Sequence, residues 1–138
     1  MAKQASPQPL DQRTAHLCVD MQRMFAEETP WHAPWVRRVL PRVERLAASH
    51  PERTIFTRFV PAEKPEHARG AWRRYYERWA EMTLEKLDPG LLDLVPELGR
   101  FTPPAAVVDK TEYSSFRAPE LEPLLRARGV ENLIVTGV

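Results

Sequence analysis

Thr54-Ile55-Phe56-Thr57-Arg58-Phe59-Val60 is the stretch on which the reading of the whole chain turns. It has the length of a strand, is rich in β-branched and aromatic residues, and does not alternate cleanly between apolar and polar positions. A strand of that kind is apolar on both sides, which is the condition of a parallel sheet covered by helices on each face. Three other runs have strand length and an apolar character, at residues 15–19, 105–108 and 132–138. Helical patterns lie between them. Over residues 35–48, Val36, Val39, Leu40, Val43, Leu46 and Ala47 recur at helical spacing, and Arg37, Arg38, Arg42, Glu44 and Arg45 take the other side. Pro41 falls inside that pattern and predicts a break, with the helix restarting there. Residues 71–83 repeat the stripe with Trp72, Tyr75, Tyr76, Trp79 and Met82. A short helix is predicted over 91–98, interrupted by Pro96. A last helix is predicted over 119–128, with Pro119 in its first turn, Leu121, Leu124 and Leu125 inward, and Gly129 as its stop.

The order is therefore β-α-β-α-β-α-β. Strands alternating with helices imply right-handed crossovers and a three-layer α/β/α, Rossmann-like domain with a parallel sheet. The sequence leaves the strand order open. The domain is expected to occupy residues 14–138, after a polar, Pro-containing segment, 1–13, expected to be flexible and lacking the apolar core of an export signal.

Composition narrows the function. The 138 residues suit one domain. Lys and Arg number 20 against 19 Asp and Glu, a net charge of +1, so no global charge draws the chain to nucleic acid or an anionic membrane. No apolar run approaches the ~20 residues that span a bilayer. One cysteine, Cys18, excludes an internal disulfide framework and thiolate-rich metal clusters, and a cytoplasmic setting is expected. Proline is abundant at 14 residues; none of the 5 glycines sits at phosphate-loop spacing, which excludes a Walker loop and a dinucleotide fingerprint.

In a parallel α/β sheet the functional crevice lies beyond the carboxyl ends of the strands. The first strand ends in Asp20, the second in Thr57-Arg58-Phe59, the third in Asp109-Lys110 and the fourth in Gly137-Val138. A carboxylate, a guanidinium and an ammonium thus converge where this architecture places chemistry. An Asp held by a Lys can deprotonate a nucleophile and return the proton to a leaving group, or it can be a structural ion pair. Arg58 can fork onto a substrate carboxylate or pair with a glutamate. The aromatic stripe of residues 72–79, interleaved with Arg73, Arg74 and Arg78, reads as a core or subunit-interface face rather than a nucleic-acid platform. The Pro-bracketed stretch Pro30-Trp31-His32-Ala33-Pro34-Trp35 is a candidate flap.

Three segments carry a family resemblance. Leu17-Cys18-Val19-Asp20-Met21-Gln22-Arg23-Met24-Phe25 resembles the first motif of the isochorismatase-like cysteine hydrolases. Val108-Asp109-Lys110-Thr111-Glu112-Tyr113-Ser114-Ser115-Phe116 resembles the second, and Leu133-Ile134-Val135-Thr136-Gly137-Val138 resembles the strand leading into the third. The resemblance implies hydrolysis of a C–N bond in a small amide or ureido compound, with no cofactor. Asp20 would be the general base and Lys110 its partner, acting with a cysteine that follows the Gly-Val almost at once. The chain is expected to stop before that cysteine and to be inactive as it stands. Phe25, five residues after Asp20, would line the substrate pocket, and Arg58 is the second candidate for substrate contact. Cys18 sits within an apolar run and is expected to be core. Nicotinamidases of the family carry an Asp-x-His metal motif where this chain reads Arg58-Phe59-Val60, and His16, His32, His50 and His67 lack ligand spacing, so no metal is expected. The expected partners are a small-molecule substrate and further copies of the full-length chain, with no nucleic acid and no membrane. Two alternatives stay open: hydrolysis of an isochorismate-type vinyl ether with the Asp as acid, and a catalytically inactive binding or oligomer subunit.

Overall fold

Four parallel strands form the centre of the computed structural model, which describes residues 11–138. They are β1 (Thr14–Val19), β2 (Thr54–Phe59), β3 (Ala106–Lys110) and β4 (Asn132–Gly137), side by side in the order β3-β2-β1-β4. The chain moves from β1 outward through β2 to β3, then crosses back to lay β4 on the other side of β1. The direction of winding reverses between β1 and β4, and a crevice opens at such a switch point. The connections carry the helices: α1 (Arg23–Ala26) and α2 (Trp35–Ser49) after β1, α3 (Ala71–Arg78) and α4 (Pro96–Gly99) after β2, and α5 (Leu121–Ala127) after β3.

The sheet divides two cores. On one face Cys18 and Phe56 pack with Val36, Leu40, Val43 and Ala47 of α2 and with Leu94, Val95 and Leu98. On the other, Leu17, Ile55 and Val108 pack with Leu121 and Leu125 of α5. Neighbouring residues of a strand point to opposite faces, so Ile55 and Phe56 feed different cores, and this is why β2 shows no polar alternation. The expectation of two buried faces holds for β1 and β2. It fails at the edges, where Val107 of β3 and Val135 of β4 are exposed.

Other expectations are corrected. Helix α2 runs unbroken through Pro41. The missing amide N–H of a proline orphans the carbonyl four residues earlier. Here that residue, Arg37, and Pro41 itself are both exposed, so water can serve the carbonyl while the buried stripe holds the helix to the sheet. Helix α3 ends at Arg78 and passes into a 3-10 turn at Ala80–Met82, and α5 begins at Leu121 rather than at Pro119. Gly129 does stop α5, at φ 64°, a left-handed value that glycine adopts without penalty. Residues 1–10 of the N-terminal segment lie outside the described residues. Within 11–13, the Arg13 carbonyl accepts from the N–H groups of Glu131 and Asn132 at 2.7 and 3.0 Å, which starts the β1–β4 pairing. Among the described residues no helix is long and apolar enough to cross a membrane.

His16 of β1 ties three adjacent strands, β2, β1 and β4. Its Nδ1 lies 3.3 Å from Thr54 Oγ1 of β2, and its Nε2 lies 2.6 Å from Thr136 Oγ1 of β4. Burial pushes its pKa down to about 4. The unfolded chain therefore takes up a proton near pH 6.5 that the folded chain refuses until near pH 4, and stability is lost as pH falls across that window. The unfolding free energy measured in urea should drop by about 2–3 kcal/mol between pH 7 and pH 4 on account of this residue. The His16→Gln variant should show a correspondingly flatter profile.

Candidate active site

Asp20 is the first residue past β1, and its backbone sits at φ 54°, a conformation a non-glycine residue seldom adopts. Its N–H donates to the Thr57 carbonyl at 3.1 Å, and its carbonyl accepts from Gln22 N–H at 2.8 Å. These bonds hold the turn that points the carboxyl group into the carboxyl end of the sheet. There Oδ1 accepts from the Thr57 hydroxyl at 2.7 Å, and Oδ2 lies 3.0 Å from Nζ of Lys110, the last residue of β3. Lys110 also donates to the Tyr113 carbonyl. Both members of the pair are buried, at 8% and 3% exposure. Burial raises the pKa of Asp20 from its ordinary value and outweighs the opposing pull of Thr57 and then of Lys110. A raised carboxylate is a stronger proton acceptor than one in water.

Asp20 forms the polar wall of a small cavity of about 80 Å³, whose remaining walls are Phe25, Trp31, Phe59, Tyr75 and Tyr113. Asp20 thus meets Lys110 directly and shares the cavity with Phe25, while Lys110 lies behind it. Phe25 stacks on Trp31 at 6.3 Å between ring centroids, and Trp31 stacks on Tyr75 at 5.8 Å. The candidate flap delivers Trp31. It is pinned by Ala33 N–H to the Phe25 carbonyl at 2.8 Å and by the Thr29 hydroxyl to the Met24 carbonyl at 2.6 Å. The aromatic stripe of α3, expected to be a core or subunit-interface face, roofs the carboxyl ends of the strands, with Tyr76 buried and Tyr75 facing the cavity.

Arg58 is not at the cavity. Side chains alternate along a strand. Thr57 reaches Asp20 and Phe59 lines the cavity, but Arg58 forks onto Asp109 of β3 with bonds of 2.7 and 2.9 Å. Its Nη1 is 3.8 Å from Asp93, and it lines a separate cavity with Arg23, Asp93 and Val107. Arg58 is thus in an ion pair, with aspartates rather than the glutamate expected. Cys18 is fully buried, and burial pushes its thiol up to about 12, which removes it as a nucleophile. Among the described residues no three His, Cys, Asp or Glu side chains gather as metal ligands.

Two residues of the site were missed in the sequence. Thr57 stood next to Arg58, and the alternation of a strand was the signal that could have chosen it. Gln22 is fully buried two residues past Asp20. Its Oε1 accepts from Phe59 N–H at 2.7 Å, and its Nε2 donates to the carbonyls of Phe59 and Leu92 at 3.0 and 2.9 Å. The side chain completes the hydrogen bonding of the end of β2 and so fixes a wall of the cavity.

Comparison with known proteins identifies the family and the fold. Residues 14–138 match the family model described as the isochorismatase domain, and the chain belongs to the isochorismatase family. A cysteine hydrolase from Pseudomonas syringae pv. phaseolicola superimposes with a TM-score of 0.77 at 25% identity, over 100% of this chain and 65% of that one. An isochorismatase family protein from Desulfovibrio vulgaris has a TM-score of 0.73 at 21% identity, over 93% of this chain and 68% of that one. N-carbamoylsarcosine amidase from Thermoplasma acidophilum has a TM-score of 0.69 at 15% identity, over 91% and 67%. No curated protein matched the chain.

Gln22→Ala strands the buried N–H and carbonyl of Phe59 and frees the part-buried carbonyl of Leu92. Each orphaned group costs about 1–3 kcal/mol, and water entering the space would recover part of it. A loss of about 2–4 kcal/mol is expected in chemical denaturation.

Proposed function

We propose that the full-length protein hydrolyses a C–N bond of a small amide or ureido compound through a cysteine nucleophile served by Asp20 and Lys110. The observation that carries this reading is a buried carboxylate of raised pKa, held by a buried ammonium, at the polar end of a small aromatic cavity. The cysteine belongs, in this reading, to residues that follow Val138. The Val138 N–H donates to the Val19 carbonyl at 2.9 Å, so the backbone leaving β4 passes beside the residue that precedes Asp20. The family membership and the likeness to a cysteine hydrolase support the same assignment. One of the proteins that share the fold is named an amidase.

The chemistry is then as follows. Asp20 takes the thiol proton, and the thiolate attacks the substrate carbonyl carbon. The C–N bond breaks as Asp20 returns the proton to the departing nitrogen. Asp20 next takes a proton from water, whose oxygen attacks the thioester carbon; the thiolate leaves and recovers that proton. Lys110 holds one carboxylate oxygen and Thr57 the other, so the basic group cannot swing away between steps. The raised pKa of Asp20 also suits the other reaction considered from the sequence, in which a protonated carboxyl group donates to a vinyl ether.

The test is made on the full-length protein with a panel of small amides and ureas. Asp20→Asn should lower kcat by about 10²- to 10⁴-fold with the circular dichroism spectrum unchanged. Iodoacetamide should abolish turnover while alkylating a cysteine other than Cys18. Turnover that survives complete alkylation and is directed at an enol ether would establish the acid reading instead.

A further inference from the structure

The Asp20 cavity has a neighbour. An apolar cleft of about 220 Å³ is lined by Ala71, Trp72, Tyr75 and Tyr113. Tyr75 and Tyr113 also wall the Asp20 cavity, so the two spaces meet across the same pair of rings. Trp72 stands 4.9 Å from Tyr113 and edge-on to Tyr75 at 5.4 Å. Tyr113 is 69% exposed, so the outer cleft opens to solvent.

The charge of this double site is distinctive. Among the described residues no Lys, Arg or His lines either space. The ammonium behind Asp20 is already engaged, by that carboxylate and by the Tyr113 carbonyl. Arg58 is forked onto Asp109, and Arg23 is bonded to Glu27 and to the Gly90 carbonyl. A carboxylate in the inner space would therefore be buried among rings, close to Asp20, with no cation in the lining to meet it. Finally, Nε1 of Trp31 is buried without a hydrogen-bond partner. An orphaned donor is costly, and an acceptor brought in by a ligand would satisfy it.

Resting on the hydrolase reading above, we propose that the substrate is a molecule of two parts: a compact uncharged carbonyl group seated beside Asp20 and Trp31, and a flat apolar substituent that extends past the hydrogen-bonded Tyr75–Tyr113 pair to lie against Trp72. The inner space of about 80 Å³ has room for a few non-hydrogen atoms, such as an amide group, at the ~30 Å³ share of a water molecule. Anything larger must extend outward, and the rings there favour a stacked or edge-packed group.

The probes are N-benzylacetamide and N-benzyloxamate, in which a carboxylate replaces the acetyl methyl group, titrated calorimetrically into the full-length protein. The uncharged probe should bind at least about tenfold more tightly than the carboxylate. Trp72→Ala should weaken the uncharged probe about fivefold, and Trp72→Phe, which keeps a ring, should restore it to within about twofold. Equal affinity for the two probes, or an affinity that Trp72→Ala leaves unchanged, overturns the proposal. The two readings fail separately. Trp72-dependent binding without turnover would sustain the outer subsite and sink the hydrolase assignment, whereas turnover of N-benzylacetamide with a KM indifferent to Trp72 would do the reverse.

Discussion

A carboxylate and an ammonium are expensive to bury, and the carboxyl end of this sheet is arranged around one such pair. Asp20 and Lys110 meet at 3.0 Å with almost no solvent exposure. A buried pair is held together by the cost of separating it, since removing one partner leaves the other charge in a medium that cannot solvate it. Each charge here has a second anchor, the Thr57 hydroxyl for Asp20 and the Tyr113 carbonyl for Lys110. The pair therefore fixes three strand ends relative to one another: β1 through Asp20, β2 through Thr57, and β3 through Lys110. The left-handed backbone at Asp20 is tolerated because the surrounding hydrogen bonds over-determine it, and strain of this kind gathers at functional sites.

The aromatic box depends on that arrangement in turn. Phe25 is carried by the helical turn that follows Asp20, Phe59 lies two residues beyond Thr57, and Tyr113 lies three beyond Lys110. Once the charged groups are placed, each strand end brings its own ring to the same cavity. The rings exclude water, lower the local dielectric, and so sustain the raised pKa of Asp20. Gln22 acts at one remove by completing the hydrogen bonding at the end of β2.

Where the sequence misled, it did so because a local pattern was weighed without its surroundings. Pro41 looked like a break because proline loses one helical hydrogen bond, but the affected turn faces water and the apolar stripe of α2 outweighs the loss. Arg58 looked like a substrate contact because it stands at a strand end. Its neighbour across the sheet is Asp109, and a register of pairs is not visible in one strand. The stripe of α3 has the same spacing whether it covers a sheet face or roofs the strand ends. Periodicity tells which residues share a face of a helix and not what that face meets.

Periodicity and the strand ends were enough to indicate the layer architecture and to single out Asp20 and Lys110, and the family resemblance added Phe25. A buried parallel strand must be apolar on both faces, and residues at strand ends of a parallel sheet must gather on one side of the molecule. The strand order β3-β2-β1-β4, the Arg58–Asp109 fork, the Thr57 bond to Asp20 and the closing of the box by Trp31 and Tyr75 were decided by tertiary structure. Each is a contact between segments far apart in the chain, and its energy depends on a distance that no local pattern records.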